Sequence, residues 1–407
     1  MNWLTWFKAK AKVMSKLTSV LFFLLFNLSL SAQDFEFPTR HWVSSTFAKQ
    51  GLNPDPIDQL HQKVGRKAYG LVDRMLVVKN GFLLADYEYD NDYQAISKGF
   101  DGPLGCGFES CDDASRVNEY NYYHPDFHPF YQGSKVHSLQ STTKSVASVL
   151  VGVAVQQGLI KNEQVALLSF FENYDLSKTE ERLKKATLED LLTMRSGIEW
   201  HEQDRPLDET NTTLLLERSE DWIQFTLDQP MDADPGEKWA YSSGGSHLMS
   251  GIIKEVSGEF IDSYAEKHLF GPLGIENYHW KKTPQGYPDT EGGLYLEAPD
   301  LAKIGLLMLK DGVWDGKRII SSDWVQQSVA LKARNVNSLG WGYGYQWWRL
   351  DRNGTEVWAT LGFGENYMIV LPEHNLIGVI NAWNLFGHQG SVIFDFVDAL
   401  IDSAKKG

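Results

Sequence analysis

Ser141-Thr142-Thr143-Lys144-Ser145-Val146-Ala147-Ser148-Val149-Leu150 is the stretch on which the reading of this chain turns. Val146, Val149, Leu150 and Val153 recur at helical spacing as far as Gly158, which predicts a buried helix over 145–158. Ser141 and Lys144 stand three apart at its head, so a hydroxyl and an amine share one face. A serine hydroxyl is a poor nucleophile until a base takes its proton, and a desolvated lysine does that once its pKa falls. The helix N-terminus adds partial positive charge for a developing oxyanion. Ser-x-x-Lys alone is common and usually marks a solvated surface pair. The apolar helix that begins beside this lysine is what lifts it above that.

Outward from this point the chain alternates between sheet and helix signals. Met75–Val78 and Phe82–Ala85, joined through Lys79-Asn80-Gly81, read as a hairpin, because Asn-Gly supplies the positive φ angles of a tight turn. Thr187 reads as an N-cap with Asp190 three residues on, and helical patterns continue through 246–255 and 300–310. Near the end, Tyr343–Trp348, Val357–Leu361, Tyr367–Leu371 and Leu376–Ala382 read as strands, with turns at 351–354 and 372–375. A closing helix carries Val392, Ile393, Phe396, Val397, Leu400 and Ile401 on one face. An early hairpin and late strands that share one sheet around a helical middle make the fold class α+β, with an antiparallel sheet built from N- and C-terminal segments. The expected division is an α/β lobe from about 51–140 and 290–407, a helical lobe of about 141–289, and a surface excursion over 90–135.

The first residues read as an address. Lys8, Lys10, Lys12 and Lys16 precede an apolar run over 17–30, and Ser29, Ser31 and Ala32 follow. This is the pattern of a secretory signal cleaved near Ser31 or Ala32, giving a signal peptide over 1–32 and a single large domain over 33–407. The run is short for a membrane span, so the expectation is a secreted or periplasmic protein, with an uncleaved anchor as the lesser reading. Beyond a membrane, the close pair Cys106 and Cys111 reads as a loop-closing disulfide, against two free thiols.

Of the chain's 407 residues, 43% are hydrophobic and 22% charged, so it is an ordinary globular sequence. Lys and Arg number 38 against 53 Asp and Glu, for a net −15. So acidic a body repels phosphate backbones, and nucleic acid is excluded as a partner. No metal site and no cofactor are expected. His124 and His128 are separated by prolines, and His201-Glu202 has Arg205 where a zinc helix carries its second histidine. A Gly-x-Ser-x-Gly elbow is also missing.

Two further segments bear chemistry. In Pro235-Gly-Glu-Lys-Trp239-Ala-Tyr241-Ser242-Ser243-Gly244-Gly245, a tyrosine precedes a predicted helix, and a phenol beside an ammonium relays protons. A tyrosine packed under a loop is the bland alternative. In Ala359-Thr360-Leu361-Gly362-Phe363-Gly364-Glu365-Asn366, glycines around an aromatic allow close backbone approach, and a strand-edge N–H there suits an oxyanion; a plain bulge is the alternative.

Taken in order, these motifs resemble the serine β-lactamase and penicillin-binding-protein superfamily. The likeness is nearest to its branch of class C-like esterases, D-aminopeptidases and 6-aminohexanoate-dimer hydrolases, and it runs from about Leu71 to the C-terminus. Thr187-Leu-Glu-Asp-Leu-Leu-Thr-Met-Arg-Ser-Gly-Ile198, Gly292-Gly-Leu294, Asp300-Leu-Ala-Lys-Ile-Gly305 and Gly342-Tyr-Gly-Tyr-Gln-Trp347 add to it. The resemblance implies Ser141 as acylated nucleophile, Lys144 and Tyr241 as a coupled general base and acid, and the backbone N–H groups of Ser141 and Phe363 as oxyanion hole. Ser243 stands where the lactam-cleaving enzymes carry Asn, and Thr360-Leu361-Gly362 where they carry Lys-Thr-Gly. Thr360 offers no charge for a substrate carboxylate. The expected substrate is therefore a small ester or amide. β-Lactam or D-Ala-D-Ala cleavage, or binding of a cell-wall fragment without turnover, are the alternatives. Ser243, Trp200, Thr360 and Gly362 are the expected substrate contacts; His201 and Glu202 are candidate contacts too, although each taken singly reads as surface loop.

Overall fold

In a computed structural model of the chain, the described residues are 35–92, 135–205, 209–384 and 390–405. Seven strands form one antiparallel sheet: β1 (Val72–Lys79), β2 (Phe82–Glu88), β3 (Gly342–Tyr343), β4 (Trp348–Arg352), β5 (Thr355–Gly362), β6 (Asn366–Leu371) and β7 (Leu376–Ala382). Their spatial order is β2-β1-β7-β6-β5-β4-β3, so the early hairpin joins the late strands at the β1–β7 seam, where Met75 pairs with Ile380. The α+β class with an antiparallel sheet from both chain ends is what the structure has.

Local chemistry sets the corners. Asn80 and Gly81 (φ 54° and 82°), and Asn353 and Gly354 (φ 56° and 79°), adopt paired left-handed conformations. Those are the angles that two-residue hairpin turns require. Side chains alternate across the pleat. Met75, Val77, Ile369, Leu376 and Ile380 pack with Ile57, Leu60, Phe396 and Leu400 of two helices, α1 (Asp55–Gly65) and α5 (Ile393–Ala404). Truncating a side chain as enclosed as Phe396 costs about 3–5 kcal/mol. On the opposite face, α4 (Ala298–Leu309) brings Gly305 against Met368 and Ile377. The remaining long helices, α2 (Thr142–Gln156) and α3 (Ser243–Ser257), pack on each other.

One strand expectation fails. Residues 344–347 are not extended: Gln346 has φ 62°, its N–H donates to Leu192 O at 3.0 Å, and its side-chain amide donates to Leu191 and Leu192 carbonyls. The run read as a strand because it is buried throughout, yet it leaves the sheet to fasten the helical segment. That segment starts with the capping box expected at Thr187 and Asp190. A short strand, Tyr278–Trp280, pairs with Leu294–Leu296, which also pairs with His137–Ser138 just ahead of Ser141. No helix among the described residues is long and apolar enough to cross a membrane. The signal region 1–32, most of the 90–135 excursion, and Cys106 with Cys111 lie outside the described residues.

Candidate active site

Ser141 sits where backbone geometry is forced. Gln140 before it has φ 50°, a conformation that non-glycine residues adopt only when surroundings hold them there. Here its side-chain amide donates to Ser138 Oγ at 2.9 Å, and Leu139 N donates to Leu294 O at 2.9 Å. The sharp turn ends on Ser141, which caps α2 and is partly exposed. Lys144, one turn on, is almost wholly buried at 1% exposure. Its Nζ donates to Ser141 Oγ at 3.0 Å and to Glu291 O at 2.6 Å, and lies 5.1 Å from the centre of the Tyr241 ring. Burial lowers the Lys144 pKa, opposed by the carboxylates of Glu291, Glu202 and Glu217.

Tyr241 arrives from the segment before α3. Met194, itself at φ 59°, receives Ala240 N–H on its carbonyl at 2.9 Å and Ser242 N–H on its sulfur at 3.3 Å. The tyrosine is buried, its hydroxyl hydrogen-bonds the Ser141 side chain, and its ring stacks on Trp348 at 6.0 Å. Burial and the Glu202 charge push its pKa well above the ordinary phenol value, while the Ser141 bond pulls the other way. The structure thus brings the three side chains Ser141, Lys144 and Tyr241 together, with the phenol neutral.

Strand β5 forms the next edge. A Cβ on Gly362 would stand 2.2 Å from Leu139 O, so only glycine lets the strand end approach the turn before Ser141 this closely. Phe363 follows at the strand end, 57% exposed. Beside these residues lies a cavity of about 580 Å³, a size that suits a small organic ligand. Ser141, Tyr241, Ser243, Gly362 and Phe363 line it.

Two expected contacts are elsewhere. Thr360 is fully buried and receives the Thr142 hydroxyl at 3.1 Å, so it belongs to the packing between α2 and the sheet. Trp200 runs beneath α3, where a Cβ on Gly244 would meet its ring at 2.2 Å. It contributes through its indole N–H, which donates to Glu202 Oε2 and to Thr213 Oγ1, each at 3.1 Å. Glu202 lies in a loop, but its carboxylate turns inward. It lines the cavity and accepts the N–H and the hydroxyl of Ser243, both at 2.9 Å. His201 beside it turns away, between Glu199 and Asp204 at 3.0 and 2.8 Å.

Glu217 and Glu291, absent from the sequence reading, also line the cavity, as do Trp341 and Trp348. Glu291 is 5% exposed, with a carboxylate oxygen 3.9 Å from Lys144 Nζ. Glu217 hydrogen-bonds Glu291, and burial with that contact raises its pKa well above the carboxylate range.

Comparison with known proteins agrees with this fold. A family profile described as Beta-lactamase matches residues 128–392. The 6-aminohexanoate-dimer hydrolase of Paenarthrobacter ureafaciens is 23% identical over 323 residues, covering 72% of this chain and 79% of that protein. Among solved structures, a family VIII carboxylesterase superposes with TM-score 0.60 at 12% identity, over 88% of this chain and 98% of its own. A D-stereospecific amidohydrolase from Streptomyces sp. gives TM-score 0.57 at 14% identity, over 84% and 98%.

Proposed function

The chain belongs to the beta-lactamase family of hydrolases, and on that premise we propose that it cleaves small esters or amides through an acyl-enzyme on Ser141. One observation carries the reading: the Lys144 amine donates to Ser141 Oγ at 3.0 Å while the Tyr241 hydroxyl bonds the same serine. In its neutral form Lys144 takes the hydroxyl proton as Oγ attacks the carbonyl carbon. The oxyanion is received by the backbone N–H groups of Ser141 and Phe363. Tyr241 passes a proton to the leaving alcohol or amine as its bond to carbon breaks. Lys144 returns its proton to the Tyr241 phenolate, which resets the pair. Water then attacks the acyl carbon and gives a proton to Lys144, and the bond from carbon to Oγ breaks as Oγ takes that proton back, releasing acid and Ser141.

Two features favour esters and amides over β-lactams and D-Ala peptides. Thr360 supplies no cation for a carboxylate and is engaged with Thr142. The Ser243 hydroxyl donates to Glu202 rather than into the cavity. The 6-aminohexanoate-dimer hydrolase, the carboxylesterase and the amidohydrolase to which the chain is similar are named for the same class of reaction. We further propose that residues 1–32 direct export to the periplasm or medium and are removed. A fluorophosphonate probe should label the folded protein at Ser141, read by peptide mass spectrometry, and labelling should vanish in Ser141→Ala. A folded protein that stays unlabelled would leave only a binding role on this fold.

A further inference from the structure

The cavity beside Ser141 is lopsided in charge. Glu202, Glu217 and Glu291 line it, and among the described residues no lysine, arginine or histidine does. Asp289, Lys144 and Lys281 interact with these groups, so four carboxyl groups face two amines. Burial lowers both amines, Lys281 to about 7, and raises Glu202, Glu217 and Asp289, so buried charge is disfavoured on both sides until an outside cation arrives to pair with a carboxylate. Asp289 accepts the N–H groups of Glu291 and Gly292, and Glu202 is held by Ser243. Glu217 and Glu291 instead hydrogen-bond each other at the cavity surface, which two carboxyls do only while one keeps its proton. Trp341, Trp348, Leu361 and Phe363 line the same cavity. Carboxyl groups and apolar, aromatic side chains lining one cavity suit an organic cation with an apolar body.

Resting on the acyl-enzyme reading above, we propose that Glu217 and Glu291 make this cleft selective for esters or amides that carry an ammonium or guanidinium group. Binding of the cation displaces the proton that Glu217 holds beside Glu291. KM for a cationic substrate therefore rises as pH is lowered, and KM for its neutral isostere does not follow it.

The test uses matched esters, one ending in trimethylammonium and one in tert-butyl, with the group placed on the alcohol in one pair and on the acyl chain in the other. In one of these arrangements kcat/KM should favour the cation at least about tenfold, the usual scale of a charge-assisted contact. That ratio should fall toward unity in Glu217→Gln, with Glu291→Gln as a second variant. Ratios near unity in both arrangements of the unmodified protein, or ratios that neither substitution moves, overturn the proposal. Melting temperatures of Ser141→Ala with each ester provide a readout without turnover. A rise with the cationic ester alone supports the subsite even where no ester is hydrolysed, an outcome that sinks the acyl-enzyme reading instead. Equal melting temperatures there sink the subsite.

Discussion

Two basic side chains are sunk into the paired helices of this protein, Lys144 on α2 and His247 on α3, and their surroundings could hardly differ more. Lys144 Nζ holds Ser141 Oγ and Glu291 O, with three carboxyl groups near enough to oppose its desolvation. His247 stands edge-on to Trp222 at 5.1 Å, and neither of its ring nitrogens has a hydrogen-bond partner among the described residues. Burial alone acts on it and pushes its pKa down to about 3. Desolvation weakens both bases, but only the lysine is placed where a proton is on offer and where charge can be balanced after it arrives. A buried base becomes a chemical tool through its neighbours, not through burial.

That contrast breaks most visibly at Lys144. Lys144→Met keeps the volume and removes the amine, and kcat/KM toward a p-nitrophenyl ester should fall on the order of a thousandfold or more, since base and nucleophile act as a unit. Its melting temperature should not fall with it, because a buried charge is replaced by an apolar chain. Near-normal turnover in this variant would take the catalytic role away from Lys144.

His247 tests the other side. The unfolded histidine titrates near 6.5 and the folded one near 3, so below pH 6.5 the unfolded chain takes up a proton that the native state refuses. Stability attached to this residue is complete above pH 6.5 and drains as pH falls toward 3. Between pH 7 and 4.5 the loss should be about 2–3 kcal/mol, read by denaturant titration. His247→Leu should show a correspondingly flatter acid limb, and a variant with the same acid limb as the parent would contradict the assignment.

The smallest effect sharpens the comparison by making the lysine more like the histidine. Glu202 raises the Lys144 pKa through space. Glu202→Gln removes that charge, so the acid limb of the kcat/KM profile should move to lower pH by up to about one unit. A limb that stays in place would mean that the neutral lysine does not limit the rate.

Much of this was legible from residues close together in the chain. The Asn-Gly turns, the Thr187–Asp190 capping box and the Ser141–Lys144 spacing are local signals, and each appears in the structure where local rules put it. What local reading missed is what the fold assembles from afar. Glu217 and Glu291 sit in unremarkable stretches and matter only because two separate segments meet at one wall. Glu202 reads as loop because the partner that explains it, Ser243, lies on another element. Trp200 misleads the other way: a tryptophan near a cleft suggests a substrate platform, whereas its ring fills the space under Gly244. Residues 344–347 show that burial without alternation fits a folded-back turn as well as a strand.

The seam between β1 and β7 reaches beyond the cleft. Val72 lies opposite Ala382, and the hairpin that contains it has only this one partner strand in the sheet. During synthesis the ribosome delivers that hairpin long before the strand that completes it, and so distant a pairing is slow to form. The nascent protein must therefore carry its first hairpin unfinished until almost the whole chain is made, with Met75 and Val77 in need of shelter from other exposed edges in the meantime.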